Sequence, residues 1–136
     1  MPVHYTLAVD GWTLRSAEEQ NARYPETFPI PSRKARESLM PGDGVQLMFD
    51  IETRENGRLI DRGVDRMWVI VKRRAENEYV GVLDTDPGRE EHLLVPGLAL
   101  RFGPEHVIAI QRPPDDYVAA KYGPTFFDEP DFLDDD

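Results

Sequence analysis

From Gly44 onward, apolar residues recur at every second position in short runs, and each run is closed by a turn signal. Val45, Leu47, Phe49 and Ile51 share one face of the first run, with Gln46, Asp50 and Glu52 on the other. That is the two-residue period of a strand with one buried side. "RMWVIVKRR" and "YVGVLDT" continue the series, and "LALRF" and "HVIAIQ" complete it. Between the runs stand Asn56-Gly57, "AENE", Asp86-Pro87-Gly88, Pro96-Gly97 and Gly103-Pro104, all sequences that turn or break a chain. The polar "TRENGRLIDRGVD" reads as a long hairpin arm or loop. Gly81 inside the third run marks a bulge or a close approach of backbones. The pattern predicts a mainly β (α+β) unit at residues 45–112, a small partly open barrel or strongly bent sheet of about five strands with a core that includes Val45, Leu47, Phe49, Val69, Val71, Leu83, Leu100 and Ile108.

The flanks read differently. Residues 1–44 form an N-terminal strand and helix extension packed on the core. In it "HYTLAVDGW" is a short strand, and Ser16 followed by Glu19 has the form of a capping box opening "AEEQNARY". Three prolines keep "PETFPIPS" extended or turning, with Phe28 and Ile30 as anchors, and Ser32 caps a second helix, "RKARESLM", that ends at Pro41-Gly42. Residues 113–136 hold a two-turn helix, "DDYVAAKY", and an acidic, aromatic tail, "TFFDEPDFLDDD".

A chain of 136 residues has room for one ordinary domain. It has no cysteine, which rules out disulfides and thiolate chemistry. No apolar run is long enough to span a membrane, and the opening "MPVHYTLAVDGW" lacks the layout of a signal peptide, so a cytoplasmic protein with no membrane partner is expected. Of the formal charge of −10, residues 115–136 carry −7. Such a balance opposes a nucleic-acid partner, whose phosphates call for clustered cations, and favours a basic protein.

Candidate chemistry is sparse. Glu105 and His106 stand side by side in the break between the last two strands, where a carboxylate could tune an imidazole for acid/base work, although neighbours on a turn usually point apart. His4 and His92 have no metal-ligand spacing. Asp84, Asp86, Glu90 and Glu91 surround one turn without the further ligands of a calcium loop. Neither a metal nor a cofactor is expected. Arg33, Lys34 and Arg36 make one basic cluster, and Arg62, Arg66, Lys72, Arg73 and Arg74 could make another. Trp68 reads as core or sheet face, and Trp12 is open.

The last two strands joined by "GPEH" resemble the end of an SH3-like barrel, where a single 3-10 turn connects them; Glu105 and His106 would occupy that turn. "FPIPS", "PGDGVQLMF", "RMWVIV", "YVGVLDTDP" and "FGPEHVIAI" together resemble the YegJ-like bacterial domains of unknown function. That resemblance implies an SH3-like fold and brings no catalytic residues; related small domains occur near toxin and immunity genes. The expected function is therefore non-catalytic: an acidic protein-binding domain, of the immunity type that inhibits a basic toxin or nuclease. Tyr117, Phe126, Phe127, Asp128, Glu129, Asp131 and Phe132 are the expected contact residues, with acids steering the encounter and aromatics anchoring it. The alternatives are a small hydrolase or ligand-binding enzyme using Glu105, His106 and acids near Asp84, and an accessory scaffold domain.

Overall fold

Asn56 and Gly57 turn the chain with φ of 55° and 80°, the left-handed pair that a two-residue hairpin turn requires. The strands on either side run unbroken through the polar stretch around them. In the computed structural model, which describes residues 4–86 and 94–127, β1 (Trp12–Leu14) is followed by β2 (Gly44–Glu55), β3 (Arg58–Ala75), β4 (Glu78–Leu83), β5 (Ala99–Phe102) and β6 (Val107–Gln111). Ahead of β1 lies a helical turn, α1 (Leu7–Asp10); α2 (Ala17–Arg23) and α3 (Arg33–Arg36) precede β2, a 3-10 turn (Pro104–His106) joins β5 to β6, and α4 (Asp115–Tyr122) follows.

All the pairings are antiparallel. β2 pairs β3 along its whole length, from Gly44 opposite Ile70 to Glu55 opposite Arg58. The other edge of β2 is divided: Gly44 to Leu47 pair β6, and Phe49 to Ile51 pair β1. With β4 beside β3 and β5 beside β4, the five strands after residue 43 curl into the expected half-barrel, closed by the 3-10 turn and extended by β1. Register shifts in β2 and at Lys72 in β3 supply the bends.

The inner face holds the expected Val45, Leu47, Phe49, Val69, Val71, Leu83 and Leu100, all at most 1% exposed. Ile108 is the exception. It is buried on the outer face beside Met48 and Ala17, under Phe28 and Ile30, because the shift between Gln46 and Leu47 changes the register of β6. Trp12 is core: it stacks on Tyr5 at 4.4 Å and lies 5.2 Å from Phe49. Trp68 is half-buried, between core residues Met67 and Val69.

Three local expectations are corrected. "HYTLAVDGW" is a helical turn before a short strand, since Thr6 Oγ1 accepts from the Val9 N–H at 3.3 Å and Gly11, with φ of 81°, ends the turn. The second helix stops at Arg36, where Glu37 caps it, and the Leu39 N–H turns inward to the Tyr79 hydroxyl at 3.3 Å. Asp50 is not on an open polar face: it is 7% exposed, with Arg15 and Arg62 both donating to its Oδ2.

Gly81 marks a close approach. A Cβ there would lie 2.5 Å from the Val69 side chain and 2.9 Å from the Ile70 carbonyl oxygen, and neither wall can retreat without parting β3 from β4. Gly81→Ala is expected to destabilise the fold by about 2 kcal/mol, read as a lower denaturant midpoint at unchanged slope; an unchanged midpoint would contradict this packing.

Candidate functional site

One buried guanidinium organises the first candidate site. Ser16 caps α2 by accepting from the Glu19 N–H at 3.1 Å, and Ser32 caps α3 by accepting from the Ala35 N–H at 3.1 Å. These short helices deliver Glu18 and Arg36. Arg36 is 6% exposed; it donates through Nη1 to Glu18 at 2.7 Å and to the Pro104 carbonyl at 2.9 Å, and through Nε to the Pro31 carbonyl at 2.9 Å. It therefore ties both helices to the 3-10 turn and is no part of an exposed basic cluster with Arg33 and Lys34.

Beside this tie lies an open cleft of about 990 Å³, its walls formed by Glu18, Glu19, Arg33, Glu37, Arg74, Asn77, Glu105 and His106. Its cations are committed internally. Arg33 pairs with Glu37 at 2.8 Å and Glu18 at 3.3 Å, and Arg74 donates to the Glu37 carbonyl at 2.9 Å and to the Tyr79 hydroxyl at 3.2 Å.

Glu105 and His106 do occupy the 3-10 turn, and they reach one another only loosely: His106 Nε2 is 3.8 Å from the Glu105 carboxylate. The bond that defines the imidazole is on its other side, where Nδ1 accepts from the Gly103 N–H at 2.9 Å. An accepting Nδ1 leaves the single proton of a neutral ring on Nε2. Burial is the main influence on His106 and holds its pKa below the usual histidine value, ahead of the opposing pull of Glu105, Glu78 and Glu18; His4 adds to the lowering. In this state Nε2 offers a hydrogen-bond donor and no lone pair with which to take a proton.

The second candidate site is the C-terminal end. α4 is docked by Asp84, which accepts from Tyr117 at 2.8 Å, from Tyr122, and from Lys121, whose Nζ is 2.9 Å away. Burial alone would raise the Asp84 carboxyl; the hydrogen bonds from Tyr122, Lys121 and Tyr117, with the charge of Lys121, outweigh it and hold the pKa below the usual range. Burial and the same carboxylate raise the Tyr122 phenol. Asp84 is thus a docking residue for a helix, on different elements from Glu105 and His106. Asp86 is described, while Glu90, Glu91 and His92 lie outside the described residues. Among the described residues no group of three acids or histidines is placed to hold a metal ion.

Of the expected contact residues, Tyr117 is 42% exposed. Phe126 is not offered to a partner: it is 6% exposed and packs with Val118, Ile70 and Val82, and its carbonyl accepts from buried Lys72, whose ammonium also lies 4.3 Å from the ring centre. This also takes Lys72 out of the basic run on β3. Phe127 lies partly buried against Gly42, where a Cβ would come within 2.6 Å of the ring. Asp128, Glu129, Asp131 and Phe132 lie outside the described residues.

Residue type alone did not mark Arg36 and Lys72 as internal, because each sits in a run of exposed-looking cations. Gly103, directly ahead of "PEH", was the one signal that the turn holds something close to its backbone. No described helix is long and apolar enough to cross a membrane. Compared with known proteins, the chain matches no family description, no curated protein and no solved structure.

Two outcomes follow from this geometry. Because the folded-state pKa of His106 is depressed, its contribution to stability is complete above the unfolded value of about 6.5 and is lost as pH falls below it, by at most ~1.4 kcal/mol per pH unit. His106→Gln, whose amide oxygen can accept from Gly103, should flatten that part of the stability curve between about pH 7 and pH 5; superimposable curves for the two proteins would refute the assignment. Phe126→Ala is expected to cost about 3 kcal/mol in chemical unfolding, whereas a loss under ~0.5 kcal/mol, the surface-substitution range, would mean that Phe126 does not hold the C-terminal segment down.

Proposed function

We propose that the chain is a non-catalytic domain that binds a basic protein, of the immunity type that neutralises a toxin or nuclease, in the cytoplasm that its cysteine-free sequence fits. The observation that carries the reading is where the C-terminal acids begin. Phe126 is packed on the sheet and Phe127 against Gly42, and the nine residues that follow contain six carboxylates and no cation. The run of acids thus follows directly on a segment packed against the sheet, and six carboxylates in nine residues are a concentrated negative charge. The field of such a charge raises the rate of encounter with a basic surface and weakens with salt.

Burial takes Phe126 and Phe127 out of the contact set, and the remaining roles in this reading follow from residue type. Asp128, Glu129 and Asp131 steer, and Phe132 is the aromatic anchor, assisted by exposed Tyr117. Phe126 and Phe127 serve as the tether. The hydrolase reading draws less support, since a His106 that carries its proton on Nε2 is no general base and Asp84 is engaged with α4.

The test is association kinetics against a basic nuclease as the candidate partner, at low and high salt. The comparison is a full-length variant in which the six acids of residues 128–136 are changed to Asn or Gln. Neutralisation should slow association by about tenfold at low salt and change the high-salt rate little. Equal rates for the two proteins at low salt would sink the proposal.

A further inference from the structure

We infer that the cleft between α2, α3 and the 3-10 turn is a second docking site, for an extended peptide segment carrying a lysine or arginine. Glu105 and Glu19 take the cation, and the His106 Nε2–H donates to a peptide carbonyl beside it. This rests on the reading of the chain as a binder of a basic protein, and it names where and how such a partner is held.

The charge accounting within the cleft comes first. Arg33 and Arg36 are paired with Glu18 and Glu37, while Arg74 is bonded to carbonyl and hydroxyl oxygens and keeps its positive charge. Glu19 makes no ion pair among the described residues, and Glu105 meets only a neutral imidazole. Glu19 and Glu105 set against Arg74 leave the walls with one net negative charge, and a cation reaching either glutamate displaces no ion-pair partner among the described residues.

The second observation is where the Glu105 carboxylate lies. A Cβ on Gly103 would sit 2.3 Å from Glu105 Oε1 and 2.8 Å from its carboxyl carbon. The carboxylate is folded over the glycine, on ground that any side chain at 103 would occupy. This fold-back sets it 3.8 Å from His106 Nε2, beyond hydrogen-bond range. The Nε2–H makes no hydrogen bond among the described residues. A donor and an acceptor thus stand side by side with no bond between them on the wall of the cleft, the Glu105 side chain being 44% exposed. A peptide carbonyl followed by a cationic side chain supplies the two complements.

The probe is acetyl-Gly-Arg-Gly-Arg-Gly-amide, titrated into the isotopically labelled full chain and followed by amide and imidazole NMR shifts; the same peptide with glutamate in place of arginine is the comparison. Expected are shifts at Glu19, Gly103, Glu105 and the His106 Nε2, present with the arginine peptide and absent with the glutamate one. They should persist in the full-length variant with neutralised acids at 128–136. Glu105→Gln should weaken binding about tenfold, the scale of one charge-assisted hydrogen bond. Gly103→Ala should weaken it to a similar degree by displacing the carboxylate while leaving every charge in place, with amide shifts remote from the turn unchanged in both variants. Shifts confined to the C-terminal residues and lost on neutralising them would overturn the cleft site and leave the basic-partner reading standing. No binding in either form, or equal binding of the glutamate peptide, would overturn the cleft site as well, and undiminished binding by Gly103→Ala would remove the role given to Glu105.

Discussion

A single strand edge shared by two partners sets most of this structure. β2 gives one whole edge to β3, while its other edge goes first to β6 and then to β1. A flat strand cannot serve two neighbours that leave in different directions, so β2 bends at its register shifts and the sheet curls with it. The curl gathers Val45, Leu47 and Phe49 over Val69, Val71 and Leu100. It also brings the 3-10 turn, at the entrance to β6, against the two short helices that precede β2.

Curling a sheet of apolar alternation buries its inner face and leaves the outer face to be covered by something else. Here the cover comes from both flanks. Ala17, Phe28 and Ile30 lie over Met48 and Ile108, and Val118 with Phe126 lies over Ile70 and Val82. Each cover needs a polar fastening: Arg36 binds the N-terminal flank to Pro104, and Asp84 binds Tyr117, Lys121 and Tyr122 of α4. The fastenings are what shape the two candidate sites. The cleft exists because Arg36 holds α2 and α3 against the turn, and the acidic segment follows directly on the seated Phe126.

The barrel strands were legible because their signal is geometric: period-two apolar spacing and turn residues act locally and survive whatever packs on them. The break before Glu105 and His106 was legible through Gly103-Pro104 for the same reason, while its 3-10 form was expected from the resemblance to the end of an SH3-like barrel. Burial on the outer face was not. Asp50 and Lys72 alternate onto a face that looks solvated in one dimension, and only the folded flanks turn that face into interior. Phe126 illustrates the converse. An aromatic among acids reads as a free anchor, and which of Phe126, Phe127 and Phe132 reaches the sheet depends on the distance from the end of α4 to the apolar pair Ile70 and Val82. The tautomer of His106 was equally hidden, since it depends on the direction of one backbone N–H.

The order of the flanks has a consequence for synthesis. β2 and β3 join through a two-residue turn and can meet as soon as both have emerged, whereas the β2–β6 seam joins Gly44 to Gln111 across most of the chain and must wait for a slow, long-range closure. Until residues 118–126 are out of the ribosome, Ile70 and Val82 have no cover, and the outer face of a nascent sheet is open to other chains. Phe126 emerges after the strands it covers, so a ribosome that pauses before it would leave an adhesive surface uncovered.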